Sequence, residues 1–461
     1  MKVGNPEAGL PSPERMSHLR TACSVAEDRA HRHWKARLHW LLRSVGMRHG
    51  LIMGASMVLA GVFDYGVNVV AGRWLQPVEY GIFISVTAIL QILLLLSIAI
   101  RIVVAFYTAE LSVQGDSDNR VGAFVRRVWR WAWKWGLAAT LAMALFSPLL
   151  APVLRLPNSW PMWAASVMVL MLFLRESLYG ALQGTQAFAG LGLVQVVQAF
   201  LRVLFAAGLI RLGWQATGAI LAQPLGCIFA LGMALCWLRP HFRHRGNIVD
   251  RPVSWRYSAA TLLGLAAFGV LTNLDALFVK HFFSPQIAGN YGPVVTLSKV
   301  SLFLPWAIGI VLFPKVTRRQ AAGKDPRPIL LLALAGALVP GLGITAIYFL
   351  SPGALVKIVF TGAYSDPGIV LGLASLAASL YAGLFIWLNY ALSLERPTFV
   401  FALIGVVAWQ GVGIFLFGRE NLVYMTLVMV SAGVVGNLAG FVITWSAVPT
   451  AKAVGSEVAG Q

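Results

Sequence analysis

Apolar stretches of about 20 residues recur along the chain with short polar breaks between them, and as helices each is long enough to cross roughly 30 Å of hydrocarbon. That pattern admits a bundle of membrane-spanning helices and little else. The alternating ten-residue segments of a β-barrel are absent. Reading the breaks places spans at 50–72, 80–108, 135–154, 161–182, 189–211 and 214–238, then at 256–280, 287–313, 328–350, 368–392, 396–417 and 422–446. The fold class is an all-α polytopic membrane protein with about twelve transmembrane helices. Composition agrees: 11% of residues are charged and mean hydropathy is +0.75, whereas a soluble domain carries roughly 25% charged residues.

The formal charge of +19 suits nucleic acid or an anionic membrane, and its placement decides between them. Cations gather in alternate breaks: the segment through Arg48, the break with Arg120, Arg126, Arg127, Arg130 and Lys134, the one with Arg239, Arg243, Arg245, Arg251 and Arg256, and the one with Lys315, Arg318, Arg319, Lys324 and Arg327. Arg175, Arg396 and Lys452 fall on the same side. The intervening breaks hold only Arg73, Arg155, Arg211, Lys280, Lys357 and Arg419. The positive-inside rule therefore puts both termini in the cytoplasm of a bacterial inner membrane. The charge reports topology, strengthened by anionic lipid; nucleic acid is not an expected partner.

An internal repeat with an offset of 211 residues organises the chain. Asp64 maps onto Asp275, Tyr80-Gly81 onto Tyr291-Gly292, Tyr179 onto Tyr390 and Phe188 onto Phe399. Six spans per repeat is an even number, so both halves enter from the same side and are related by an axis along the membrane normal, as two pseudo-symmetric six-helix lobes around a central cavity. The expected divisions are a basic N-terminal segment (1–49), an N-lobe (50–238), a cytoplasmic linker (239–255), a C-lobe (256–446) and a cytoplasmic tail (447–461). Residues 1 to about 30 read as disordered. The next stretch, to Gly46, sets Trp34, Leu38, Leu41, Leu42 and Val45 on one face of an interfacial helix; a start at Met47 is the other reading. No cleavable signal peptide is evident, so the first span is expected to direct insertion.

Charged residues inside spans are costly and are functional candidates by default. Lys299 lies close to the midplane of the eighth span. Arg202 lies on one stripe of the fifth with Gln195 and Gln198. Binding an anionic substrate is one reading for these two; pairing with Asp64 or Asp275 is the other. Arg101, near the cytoplasmic end of the second span, is explained by snorkelling, and the adjacent Arg175 and Glu176 by a local ion pair. Asp64 shares a helical face with Gly61 and Asn68. Asp64 and its repeat mate Asp275 are either coupling acids or structural anchors, with Glu176 a weaker candidate for coupling.

Enzyme signals are poor. Asp116-x-Asp118 has a metal-binding look but sits in a short loop with no room for a nucleotide-binding domain. His31, His33, His241 and His244 lie in basic segments without acidic or Cys partners. Cys23, Cys227 and Cys236 have no metal or redox spacing, and no glycine-rich phosphate loop follows a strand. No catalytic site, metal or cofactor is expected.

The stretch Gly72–Leu90 (GRWLQPVEYGIFISVTAIL) resembles the opening of the polysaccharide-biosynthesis flippases of the MATE-like MOP superfamily, with Ala71, Arg73, Leu75, Pro77, Tyr80 and Gly81 on its pattern. Leu274–Gly292 is similar to that family's seventh-helix region, with Asp275 at the acidic position. The resemblance implies two six-helix lobes, alternating access and a polyprenyl-diphosphate-linked oligosaccharide moved to the periplasmic leaflet, with polysaccharide polymerase and export machinery as further partners. Arg101, Arg175, Arg202 and Lys299 would then line the diphosphate site. The long basic N-terminus departs from the family pattern. A cation-coupled multidrug antiporter is the alternative, although it favours acids over these cations. A membrane-embedded polysaccharide polymerase or ligase is a third reading, weakened by the small outer loops.

Overall fold

The computed structural model describes residues 45–113, 117–243, 255–302, 312, 316, 319, 325–394 and 398–445. Two compact units are distinguished: residues 1–55, of which the opening turns of the first helix are described, and residues 56–461, which hold everything below. Residues 1–44, the tail, Asp116 and His244 lie outside the described residues, so of the expected N-terminal segment, which includes His31 and His33, only 45–49 are seen, as the opening of the first helix.

The described regular elements are all helices: α1 (Val45–Trp74), α2 (Pro77–Val113), α3 (Ser117–Val153), α4 (Trp160–Gly184), α5 (Phe188–Leu209), α6 (Gln215–Arg243), α7 (Trp255–Leu271), α8 (Leu274–Phe282), α9 (Pro285–Ser298), α10 (Arg327–Leu350), α11 (Pro352–Val359), α12 (Ile369–Ser393), α13 (Thr398–Gly413) and α14 (Leu422–Gly440). Among the described residues, nine helical stretches are long and apolar enough to cross a membrane, or ten if the bent pair α7–α8 is one span. One of the nine, Phe188–His241, is a hairpin. Gly213 at φ 85° and Gln215 at φ 46° turn the chain, and Gly190 packs on Trp237, Gly226 on Gln198 and Gly218 on Leu209, which sets α5 antiparallel to α6.

Several expected boundaries shift. Most of the loop expected at 109–134 is helix, because α2 and α3 each run 37 residues, about 55 Å. That is well beyond the hydrocarbon, and the Trp- and Arg-rich first turns of α3 continue the helix where hydropathy alone reads a break. The span expected at 256–280 is broken at Thr272-Asn273, where α7 and α8 meet at 42°. The span expected from 287 starts at Pro285, capped by Ser284 in the manner usual for a helix N-terminus, and gives way at Lys299; residues 303–311 lie outside the description. The outer loop expected at 351–367 contains α11. The linker narrows, since α6 extends to Arg243.

Each half is built around one buried helix. The most apolar windows of α4 and α12 are 83% buried, against 33% or less for the other apolar spans. Tyr179 on α4 and its repeat mate Tyr390 on α12 are fully enclosed, as are Tyr80 and Tyr291. The opposite faces carry apolar side chains outward, for example Leu145, Leu332 and Leu350; a helix pairs most of its backbone groups internally, so such faces suit lipid. α5 and α13 each lead into a short irregular turn, Ile210–Trp214 and Ile414–Gly418, before the helix that follows.

The halves meet along the first half of α2, which faces Gly269 of α7 and the start of α9, and through the end of α1, the end of α3 and the stretch from Ile358 to Tyr364. The opening turns of α2 and α9 cross with Gly81 against Gly289. Tyr80 donates to or accepts from Thr296 Oγ1 at 2.7 Å and packs its ring on Phe360 and Tyr364. Arg73 donates to the carbonyls of Ile358 and Val359 at the C-terminus of α11, both at 2.8 Å, where a cation also complements the helix dipole. Tyr364 donates to Gly72 O at 2.7 Å; its burial raises the phenol's pKa, so the donor proton stays. Arg155 reaches Phe283 O at 3.2 Å and His281 Nδ1 reaches Val153 O at 2.6 Å. Side chains donating to backbone carbonyls thus hold this end together.

Candidate functional site

The charged span residues singled out above fall into three separate constellations. The first lies within the N-terminal half. Glu176 on α4 is fully buried and takes Arg101 Nε on one oxygen at 2.6 Å and Arg175 Nε on the other at 2.9 Å. Both guanidinium groups lie over the ring of Tyr179, at 5.1 and 5.6 Å, and Tyr179 donates to Gln198 Oε1 at 2.6 Å. Arg101 therefore does not snorkel to water as its position suggested. It reaches α4, which runs parallel to α2 because Gly180 and Gly184 let Val104 and Thr108 approach closely. The expected pair of Arg175 and Glu176 is present and is part of this larger cluster. Two cations share one carboxylate, so the cluster carries net positive charge, and Arg101 is its more exposed member.

The second constellation is Arg202 on α5 with Asp64 on α1, Nη1 to Oδ1 at 3.0 Å. Asp64 is 49% exposed and Arg202 11%. Pairing is thus the reading that holds for Arg202. Asn68 donates to the Asp64 carbonyl at 3.0 Å rather than to its carboxylate.

The third surrounds the break between α7 and α8. Lys299 Nζ donates to Asn273 Oδ1 at 2.6 Å and to Gln91 Oε1 of α2 at 3.0 Å, so both its bonds go to neutral oxygens and one crosses between the halves. Asn273 is non-helical, at φ −129°, and its Nδ2 returns to Gly269 O at 2.9 Å. Two residues on, Asp275 is 3% exposed; its Oδ2 accepts from Tyr291 at 3.1 Å and its Oδ1 has no hydrogen-bond partner. The repeat mates Asp64 and Asp275 thus differ: one is an exposed ion pair on a continuous helix, the other a buried acid at a kink. Lys299 and Asp275 do not form the salt bridge that their sequence positions suggested.

Gln91, Asn273 and Tyr179 were not singled out from the sequence as site residues. Polar residues inside apolar spans are a signal for such positions, although an amide alone is a weak one. Lys280, assigned to an outer break, is 2% exposed with an unpartnered Nζ. Among the described residues no three His, Cys, Asp or Glu side chains gather as a metal ion would require.

No family model and no curated protein matches this sequence. Solved structures do match the fold. A lipid II flippase MurJ in an inward closed conformation superposes with a TM-score of 0.65 at 11% identity, over 85% of this chain and 87% of that one. The chain has the fold of that flippase. An inward-facing multidrug resistance MATE family transporter of the MOP superfamily gives a TM-score of 0.62 at 10% identity, over 85% and 97% of the two chains. An outward-facing MATE structure gives 0.62 at 13%, over 87% and 96%. The similarity shows the architecture, with two transporter types sharing it, and leaves the substrate to be argued from the residues.

Proposed function

We propose that this protein is a flippase that carries a polyprenyl-diphosphate-linked oligosaccharide from the cytoplasmic to the periplasmic leaflet of a bacterial inner membrane by alternating access, in the export of a surface polysaccharide. The carrying observation is positive charge within the spans that outnumbers the carboxylates bonded to it. Lys299 is held by amide oxygens only, and Arg101 shares its one carboxylate with Arg175. A fixed charge inside a membrane costs about 2.5–3.5 kcal/mol on insertion scales, and a diphosphate is a partner that repays it through charge-assisted hydrogen bonds. Arg101 and Lys299 are the substrate cations in this reading and Arg175 supports Arg101. Arg202 is neutralised by Asp64 and leaves the site. With both termini cytoplasmic, the joined end of the halves is periplasmic, and the lipid headgroup enters from the other leaflet.

Asp275 is the coupling acid in this reading. A buried carboxylate with one oxygen lacking a hydrogen-bond partner is costly when charged, which suits a group that takes up a proton or a cation during transport. The same residue favours a second reading, a cation-coupled multidrug antiporter, whose fold this chain also shares. Proteoliposomes separate the two. Accessibility of a polyprenyl-diphosphate sugar to an impermeant glycosidase should depend on Lys299 and Arg101, with Lys299→Arg milder than Lys299→Met because charge is kept. Unchanged flipping by abundant Lys299→Met protein, or dye efflux that needs Asp275 without any lipid movement, would overturn the flippase.

A further inference from the structure

We propose that Lys299 is an anion-operated latch: by bridging Gln91 of one half to Asn273 of the other it holds the joined end shut, and a diphosphate headgroup opens that end by drawing the ammonium away. The operating anion rests on the flippase reading above; the latch itself does not.

The geometry has four parts. Lys299 supplies a bond across the halves, to Gln91 at 3.0 Å. Its shorter bond, 2.6 Å, goes to Asn273 at the one sharp bend described within a span. Both Lys299 and Asn273 stand at interruptions of helix, Lys299 between α9 and the turn that resumes at Val300, Asn273 between α7 and α8. Asn273 also uses its Nδ2 to satisfy Gly269 O, a carbonyl the bend frees. Beyond the bend, His281 near the end of α8 bonds Val153 O, and the carbonyl of Phe283 just past that end accepts from Arg155, across the closed end. A change at Lys299 is thereby connected through a kink to the contacts that close the molecule, and kinked helices with two discrete arrangements are the kind of element that carries coupling.

The chemistry favours release by an anion. Lys299 bonds only amide oxygens, with the Asp275 carboxylate an unbonded charge neighbour, and an amide oxygen is a weaker acceptor for an ammonium than a phosphate oxygen is. A diphosphate that competes for the ammonium binds the released arrangement better than the latched one, which is the condition for any ligand to shift an equilibrium. Neutral lipids offer no such competition. The latch would therefore open after a headgroup arrives and stay shut when the protein is empty.

The test uses the full chain in lipid nanodiscs, with its cysteines replaced and spin labels at Asn158 and Gln286, exposed positions next to Arg155 and Phe283. Pulsed electron–electron resonance then reads closed and open populations. Without added ligand, Gln91→Leu and Lys299→Met should each raise the open-to-closed ratio by about 10- to 150-fold, the loss of one charged hydrogen bond. Gln91→Glu, which gives Lys299 a carboxylate, should move the ratio the other way. Changes of opposite sign at one position also rule out simple misfolding.

Added polyprenyl diphosphate should open the wild-type protein and the Lys299→Arg protein but leave Lys299→Met unchanged. Inorganic pyrophosphate and phosphatidylglycerol distinguish a free or general anion from the lipid diphosphate. If Gln91→Leu and Gln91→Glu both leave the distances unchanged, the latch is wrong whatever the ligands do. If they shift as stated while polyprenyl diphosphate does nothing to the wild type, the latch stands and the flippase reading falls.

Discussion

Gly289 at the start of α9 lies so close to Pro77 at the start of α2 that a Cβ added to Gly289 would overlap the Pro77 carbonyl, and a Cβ added to Gly81 would come within 3.0 Å of the Gly289 backbone. Two helices from opposite halves cross here without side chains between them. A backbone contact of this kind has no flexible atom that can yield.

Gly289→Val should therefore wedge this end open. Overpacking a tight contact costs about 1–3 kcal/mol, which the protein can relieve by separating the halves rather than by unfolding. The expected result is normal membrane abundance with increased reactivity of a cysteine placed at Thr296, the buried partner of Tyr80. Unchanged reactivity in an abundant Gly289→Val protein would show that this contact does not limit opening.

Hydropathy makes the spans legible because about 20 apolar residues leave few alternatives in a membrane, and the repeat of Tyr80 with Tyr291 and Tyr179 with Tyr390 is legible because both pairs are enclosed in equivalent helices. The break at Asn273 is hidden, since Thr272-Asn273 interrupts neither the apolar run nor introduces a proline. The pairing of Arg101 with Glu176 is equally hidden: it depends on the parallel packing of α2 and α4, 75 residues apart in sequence, and nothing local announces it. Arg202 was ambiguous between an anion site and Asp64, and only the packing of α5 on α1 chooses. The start of α3 reads as a loop because Arg and Trp lower hydropathy without lowering helix propensity by much.

Topology gives a direct check on which end is which. Cysteines at Gly115 and Gly246 should be shielded from an impermeant maleimide in intact cells, and those at Asn158 and Ser365 should label. Labelling of Gly246 without Asn158 would invert the protein, place the joined end in the cytoplasm and reverse the direction of transport argued above.

The two repeat-related acids should behave differently. Asp64 pairs with Arg202, which is only 11% exposed, so Asp64→Asn orphans a cation inside a span at a cost of about 2.5–3.5 kcal/mol on insertion scales; it should lower abundance while leaving transport per molecule nearly unchanged. Asp275→Asn keeps a hydrogen-bonding group for Tyr291 but removes the titratable oxygen. It should preserve abundance and abolish the dependence of transport on an imposed ion gradient. Loss of transport in Asp64→Asn with normal coupling in Asp275→Asn would exchange their roles.

The Glu176 cluster separates a structural charge from a substrate-facing one. Glu176→Gln leaves two guanidinium groups without their shared carboxylate inside the N-terminal half, and breaking a buried pair from one side costs about 3–5 kcal/mol. Thermal stability of the detergent-solubilised protein should fall sharply. Adding Arg175→Met removes the more deeply buried cation and should recover most of the loss. Arg101→Met is the contrasting change. It leaves Glu176 paired with Arg175, so abundance and stability should hold, while the net positive charge of the cluster is gone and lipid-linked sugar flipping should fall. If Arg101→Met is unstable and is rescued by Glu176→Gln, Arg101 is there to neutralise Glu176; if it is stable and flips normally, the diphosphate does not use it.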